Sequence, residues 1–131
     1  MEADSLRDFD IVVYGATGFT GALVAEYLQT HHSEIRWAIA GRSPSKLESV
    51  KKQLGNAELP TIEADSDSAV DMARLAGTAK VLIRTVGPSA QPGTKLLAAC
   101  AAQGTHYLHL KGEPPWMAVV FENVSDMAQR P

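Results

Sequence analysis

The chain has 131 residues, of which 45% are hydrophobic and 21% charged, and its formal net charge at pH 7 is -3. This length suits a single domain with one core, and no apolar run approaches the roughly 20 residues of a membrane-spanning helix. An acidic chain lacks the basic surface that attracts nucleic acid or anionic lipid. We therefore expect one domain over residues 1–131, without nucleic-acid binding or membrane insertion.

The amino-terminal residues 1–10 mix acidic and basic side chains and lack the apolar stretch of a signal peptide. They predict a solvated lead-in and a cytoplasmic location. The single cysteine, Cys100, cannot form an internal disulfide, and its leucine and alanine neighbours predict a buried helix. The histidines lack the paired spacing of a zinc site, so no metal is expected.

Strand-like and helix-like segments alternate along the chain, which is typical of repeated βαβ units in a mostly parallel sheet. The predicted strands cover residues 10–14, 36–40, 61–64, 80–86 and 106–110. The predicted helices run from about residue 18 to 32, from 43 to 54, from the cluster 65–68 to 76, from 93 to 103, and over 115–128. We expect an α/β fold, a doubly wound Rossmann type with about five strands in the order 3-2-1-4-5 and helices on both faces.

Local signals place several helix ends. Ser43 followed by Pro44 is a strong start signal, because a hydroxyl can cap the helix and proline suits its first turn. Gly55 is expected just past the end of that helix, and Gly77 is expected to end the next one. The helix at 93–103 is almost wholly apolar, which predicts contacts on more than one side.

A glycine-rich turn separates the first strand from the first helix. Backbone N–H groups at a helix N-terminus attract phosphate, and glycine lets the phosphate approach the main chain. Glycines at 15, 18 and 21 are spaced more loosely than the usual dinucleotide fingerprint, but they stand between strand and helix as that fingerprint does. The turn is therefore predicted to bind the pyrophosphate of a dinucleotide, whereas Tyr14 before it is expected to pack. The predicted contact residues are Gly15, Thr17, Gly18, Phe19 and Thr20.

The end of the second strand indicates which dinucleotide binds. NAD-binding domains carry an acidic residue there for the ribose 2′-hydroxyl, about 20 residues after the turn. Here Arg42 and Ser43 follow the strand, and a guanidinium beside a hydroxyl and a helix N-terminus suits a 2′-phosphate. NADP(H) is thus the predicted cofactor, in preference to NAD(H).

Two later segments could also meet the cofactor. Asp65 follows the third strand, where it could contact the adenine ring or cap the next helix, and the sequence leaves both open. The fourth strand leads into a segment whose backbone would pass the nicotinamide half, and no side chain there stands out as a catalyst. Its residues are Val86, Gly87 and Pro88.

The acid–base candidates cluster at the carboxyl end of the fifth strand, the edge where open α/β sheets bind ligands. His109 and Lys111 point to one side of the strand, and Glu113 follows them. They are the predicted catalytic residues for a small-molecule substrate. The last predicted helix, 115–128, carries Trp116 and Val120 on an apolar stripe that no later residue covers, which predicts a homodimer through this helix.

Taken in register, these motifs resemble the saccharopine dehydrogenase-like oxidoreductases, which include the trans-acting enoyl reductases. The resemblance runs from about residue 9 to 116 and rests on four segments. These are Tyr14 to Gly21, Ala40 to Leu47, Val86 to Pro88, and Gly104 to Tyr107 with Gly112 to Pro114. The family pattern usually has Asn-Cys where this chain has Arg84-Thr85, and Asp where it has His109.

The resemblance implies an NAD(P)-binding Rossmann domain and hydride transfer, usually completed by a second domain that supplies dimer contacts and much of the substrate pocket. No second domain is expected within these residues. Three functions stay open. The first is an NADP(H)-binding oxidoreductase acting on a small organic metabolite. The others are non-redox acid–base chemistry, such as isomerisation or cyclisation by His109, Lys111 or Glu113, and a non-catalytic binding module.

Overall fold

The computed structural model describes residues 7–16, 18–31, 34–85 and 94–110. Its parallel sheet has the strand order β3-β2-β1-β4-β5. The strands are β1 (Phe9–Tyr14), β2 (Trp37–Gly41), β3 (Thr61–Glu63), β4 (Ala79–Thr85) and β5 (His106–Leu110). The helices are α1 (Phe19–His31), α2 (Pro44–Leu54), α3 (Ala69–Gly77) and α4 (Thr94–Gln103). The predicted Rossmann-type order 3-2-1-4-5 is confirmed.

The central strands β1 and β4 are apolar on both sides because helices cover both faces of the sheet. On one face, Ile11 and Ile83 pack against α1 and α2. On the other face, Val12 and Leu82 pack against α3 and α4. The predicted helices on both faces are therefore confirmed, and Cys100 of α4 is buried in the second cluster as expected.

The caps of α2 follow the sequence signals. The Ser43 hydroxyl accepts a hydrogen bond from the N–H of Lys46, and Pro44 occupies the first helical position. Gly55 closes the helix in a left-handed conformation with φ of 67°, which glycine adopts without steric cost. Both predicted ends are confirmed.

The predicted end of α3 is wrong by one residue. Gly77 is its last helical residue, and the cap is Thr78, whose φ is -88°. The Thr78 backbone N–H and hydroxyl both donate to the carbonyl of Leu75, at 3.1 and 2.7 Å. The Thr78 hydroxyl thus provides a hydrogen-bond donor for a carbonyl in the last turn of α3, where we expected a glycine to end the helix.

Arg7 corrects the prediction of a solvated lead-in, because its side chain is only 8% exposed. Its guanidinium donates to the carbonyls of Ala76 and Ala79 at 2.9 and 2.6 Å, and to the Thr105 hydroxyl at 2.5 Å. It also donates to the carbonyl of Gln103 at 2.5 Å. This Arg7 clamp joins the end of α3, the start of β4 and the α4–β5 connection at the amino-terminal edge of the sheet.

The prediction that α4 packs on more than one side is also wrong within the described residues. Leu96 and Cys100 face the core, whereas Leu97 is 50% exposed and Ala98 is exposed. Alanine and leucine are strong helix formers, so an apolar helix composition does not require burial all round. None of the described helices has the length and apolar content to cross a membrane.

Candidate functional site

The glycine turn lies at the carboxyl-terminal edge of the sheet, between β1 and α1. Gly15 adopts φ of 97°, and its N–H donates to the carbonyl of Ala40 at the end of β2. The Gly15 carbonyl in turn accepts from the N–H of Gly18 at 3.1 Å. The first α1 bond joins the Ala22 N–H to the Gly18 carbonyl, so the N–H groups at the start of this helix have no partner within the helix, as is typical of helix N-termini that bind phosphate.

The three glycines of the turn are required for different reasons. A Cβ at Gly15 would come within 2.7 Å of the Thr85 hydroxyl oxygen, and its positive φ already disfavours a side chain. A Cβ at Gly21 would collide with the Gly15 carbonyl oxygen and lie 2.5 Å from Cα of Ala16. Gly18 differs, because it is exposed and a Cβ there would meet the Gly15 carbonyl oxygen at an ordinary 3.7 Å. The fold needs Gly15 and Gly21, whereas Gly18 keeps open the space above the helix N-terminus.

Thr85, the last residue of β4, holds the turn in place. Its buried hydroxyl donates to the carbonyls of Gly15 and Tyr14, at 3.0 and 3.3 Å. Thr85 was not among the predicted site residues, although a hydroxyl near the end of a strand beside the switch point was an available signal.

The end of β2 provides a positively charged surface beside the turn. Arg42 is exposed, and no hydrogen bond or ion pair joins its guanidinium to another described residue. The first turn of α2 contains no acidic residue, and Lys46 lies within it. The Ser43 hydroxyl caps α2 and lies 3.2 Å from the Ser45 hydroxyl. A guanidinium, an ammonium and a helix N-terminus together fit a phosphate monoester.

Asp65 follows β3 at the same edge and is engaged in local loop structure. One carboxylate oxygen accepts from the N–H of Asp67 at 2.9 Å, and its backbone carbonyl accepts from the N–H of Ser68. Ser68 itself caps α3 by accepting from the N–H of Asp71. Ser68 is therefore the cap within this cluster, Asp65 forms a local turn before it, and the adenine contact stays a prediction.

A polar cluster occupies the β4–β5 side of this edge, on the face covered by α3 and α4. His109 is exposed, and its Nδ1 lies 3.4 Å from Nη1 of the buried Arg84. Burial raises the pKa of the Tyr107 phenol, and the adjacent Arg84 opposes that effect. Tyr14 packs on the same face, as predicted, and its hydroxyl donates to the carbonyl of Ala64. Arg84 was missed, although a charge inside the apolar run of β4 was visible.

Several predicted site residues lie outside the described residues, and of Phe19 and Thr20 only the helical backbone is described. The residues outside are Thr17, Val86, Gly87, Pro88, Lys111 and Glu113, together with the helix 115–128. Among the other candidates, the structure brings the glycine turn, Arg42, Asp65 and His109 to one edge of the sheet. These assignments to cofactor and substrate stay predictions.

Curated relatives match most of this chain in sequence. A trans-acting enoyl reductase of Mycobacterium leprae is 49% identical over 109 residues, which are 82% of this chain and 26% of the relative. The chain therefore spans about a quarter of the length of the curated relatives it matches.

Two solved structures share the fold at low sequence identity. Saccharopine dehydrogenase (L-Glu forming) from Saccharomyces cerevisiae has a TM-score of 0.61 at 16% identity, over 84% of this chain and 23% of that one. Triphenylmethane reductase of Citrobacter sp., in complex with NADP(H), has a TM-score of 0.62 at 17% identity, over 94% and 47%. At such identities the likeness shows the fold alone.

The family comparison covers nearly the whole chain. Residues 11–129 match the family described as saccharopine dehydrogenase NADP binding domain. The family and the NADP cofactor predicted from the sequence are thereby confirmed. The chain belongs to the saccharopine dehydrogenase NADP-binding domain family.

Proposed function

We propose that this domain holds NADP(H) across the carboxyl-terminal edge of its sheet as part of an oxidoreductase. Gly18 carries the proposal, because the fold itself has room for a side chain there and yet the position is glycine. The space left at the N-terminus of α1 suits a pyrophosphate. Arg42, one strand away, supplies the cation for the 2′-phosphate.

The bound cofactor supplies or accepts a hydride at its nicotinamide ring. The chain contributes the geometry around that chemistry. Backbone N–H groups of α1 bind the pyrophosphate, Thr85 holds the turn that presents them, and Arg42 fixes the adenosine end. His109 then lies on the β4–β5 side of the edge, the half predicted to face the nicotinamide and the substrate.

We further propose a substrate with a carbon–carbon double bond conjugated to a carbonyl, since relatives of 47–49% identity are named trans-acting enoyl reductases. Hydride adds to the β-carbon, the electron pair of the double bond moves onto the carbonyl oxygen, and a proton then adds to the α-carbon. The negative charge that develops on the oxygen needs a hydrogen-bond donor. We assign that role to His109, while Lys111 and Glu113 stay the candidates for delivering the proton.

The non-redox alternative uses the same acid–base residues without a nicotinamide. The names of the relatives favour the reductase over an isomerase or cyclase. The reductase and the non-redox enzyme are distinguished by measuring activity after all nicotinamide cofactor has been removed from the purified protein. Turnover that persists would support the isomerase.

The cofactor assignment is tested with Gly18→Ala. The new methyl group fits the fold but occupies the phosphate space, so we expect NADPH affinity to fall about tenfold or more with the melting temperature kept. Fluorescence titration and thermal unfolding measure the two quantities. Gly77→Ala is the matched control, because a Cβ there meets only ordinary contacts at 3.7 Å or beyond, far from the turn. Unchanged NADPH affinity in Gly18→Ala would contradict the proposed pyrophosphate site.

Arg42→Ala provides the second arm of this experiment. Losing a charge-assisted contact to the 2′-phosphate should weaken NADPH about tenfold or more and leave NADH unchanged. Arg36→Ala, at the opposite edge of the sheet, is its control. Equal losses for both cofactors would remove Arg42 from the 2′-phosphate site.

Self-association and location complete the proposal. We propose a homodimer through the apolar helix predicted at 115–128 and a cytoplasmic location, the latter supported by a single cysteine that stays a free thiol. Light scattering at tens of micromolar tests the dimer, and a monomer there contradicts it. Cell fractionation tests the location.

A further inference from the structure

Arg84 is a buried charge in an otherwise apolar part of β4. Its side chain is 7% exposed. The sheet register places Arg84 between Tyr14 of β1 and His109 of β5, so the three side chains form a row on the α3/α4 face of the carboxyl-terminal edge. A guanidinium stays charged at any physiological pH, so its burial requires hydrogen-bond acceptors around it.

A side chain of β5 provides one such acceptor. Nη1 of Arg84 lies 3.4 Å from Nδ1 of His109. Tyr107 and His109 are two residues apart on one strand and therefore point to the same face, and the charge of Arg84 opposes the effect of burial on the pKa of the Tyr107 phenol. The contact with His109 orients the guanidinium relative to β5.

The chemistry of this pair fixes the protonation of His109. A guanidinium has donors and no acceptor, so Nδ1 of His109 must carry a lone pair in this contact. The ring is then neutral, with its proton on Nε2. Protonating both nitrogens would break the contact and place a second positive charge beside Arg84.

We propose that Arg84 is a positioning residue that holds His109 as the neutral Nε2–H tautomer and offers that N–H to the substrate carbonyl oxygen. The hydrogen bond to the substrate oxygen rests on the proposed function, whereas the tautomer of His109 does not. By donating to Nδ1, the guanidinium also polarises the imidazole ring, which makes Nε2–H a stronger donor as negative charge develops on the substrate oxygen. The phenols of Tyr14 and Tyr107 lie on the same face of the sheet, and burial raises the pKa of the Tyr107 phenol.

Nitrogen-15 NMR of the histidine rings tests the tautomer directly, in the full chain without cofactor or substrate. We expect Nδ1 of His109 to give the signal of an unprotonated ring nitrogen and Nε2 that of a protonated one at pH 7. The His109→Gln variant assigns the signals by their loss. A parent spectrum dominated by the Nδ1–H tautomer or by the imidazolium overturns the proposal, whether or not NADPH binds.

Variants at Arg84 test whether this residue sets the tautomer of His109. Arg84→Met keeps the aliphatic length and removes the donor, so the His109 signals should move toward averaged tautomers. Lys80→Met, at the other end of the same strand, should leave them unchanged. An unchanged His109 spectrum in Arg84→Met overturns the assignment to Arg84. If Arg84→Met does not fold, Arg84→Lys takes its place, because the shorter side chain keeps the charge but withdraws the donor from Nδ1 of His109.

Kinetics then connect the tautomer to the proposed reaction. With an enoyl substrate, His109→Gln should lower kcat about 10²-fold, and Arg84→Met about tenfold, with the KM for NADPH unchanged in both. An equal change in the KM for NADPH would show a structural effect on the whole edge and contradict a positioning role.

Discussion

At the scale of single residues, the cofactor turn depends on one hydroxyl from a neighbouring strand. Thr85 shares its proton between the carbonyls of Gly15 and Tyr14, and Gly15 is in the left-handed conformation that the turn requires. The two strands concerned, β1 and β4, are direct neighbours in the sheet although about 70 residues separate them in the chain. The turn is therefore held in its shape before any ligand arrives.

Replacing Thr85 by valine keeps the shape of the side chain and removes the hydroxyl group that donates to the turn. We expect NADPH to bind about fivefold more weakly, because the turn loses one hydrogen bond of about 1 kcal/mol. Thr85→Ser should restore the affinity, and Thr78→Val, which alters a helix cap elsewhere, should lower stability only. Isothermal titration beside thermal unfolding separates the two effects. Equal affinities for the parent and Thr85→Val would show that the turn holds its shape without this hydroxyl.

At the scale of elements, the Arg7 clamp joins the segment before β1 to the end of α3, the start of β4 and the α4–β5 connection. Its buried guanidinium is bound by backbone carbonyls at 76, 79 and 103 and by a threonine hydroxyl, with no carboxylate among these partners. Carbonyls at helix ends carry partial negative charge, so they suit a cation. The clamp lies at the edge opposite the glycine turn.

Arg7→Met should lower the free energy of unfolding by about 3 kcal/mol, because several buried carbonyls lose a charged donor at once. Urea unfolding measures this change. Arg36→Met, which breaks an exposed pair with Asp10, should cost less than about 1 kcal/mol. NADPH affinity measured well below the unfolding transition should stay at the parental value in both variants. A loss for Arg7→Met no larger than for Arg36→Met would mean that the clamp adds little to stability.

At the scale of the whole molecule, stability should fall at high pH because of the buried thiol. Burial raises the pKa of Cys100 from 9.0 to about 11, and nearby Arg7 opposes this effect. Between these values the unfolded chain has released the proton while the folded chain keeps it, so the thiol's contribution is lost as pH rises. The raised pKa of Tyr107 acts in the same direction.

The prediction is a steeper loss of stability from pH 8 to about pH 10 in the parent than in Cys100→Ala. Urea unfolding at both pH values measures the slope of each protein, and the variant's own cost at pH 8 cancels in the comparison. A Tyr107→Phe variant removes the phenol's share. Parallel slopes in the parent and Cys100→Ala would contradict a raised thiol pKa.

Most of the fold could be predicted because its signals are local. Apolar runs gave the strands, and Ser43-Pro44 and Gly55 gave the ends of α2. The glycine turn and Arg42 were visible for the same reason. The roles of Arg84 and Thr85 could not be predicted, although the residue types were visible, since those roles depend on which strands lie beside β4 and in which register. Arg7 was missed because its partners lie 69 to 98 residues away.

The same separation has a consequence for folding during synthesis. Arg7 leaves the ribosome before its partners, and the last of them, the Thr105 hydroxyl, follows 98 residues later. Until these partners emerge, its charged side chain stays hydrated, and until β4 emerges, β1 lacks one of its two neighbouring strands. The amino-terminal segment therefore reaches its native place late, and the stage most exposed to mispairing is the interval before β4 and β5 emerge.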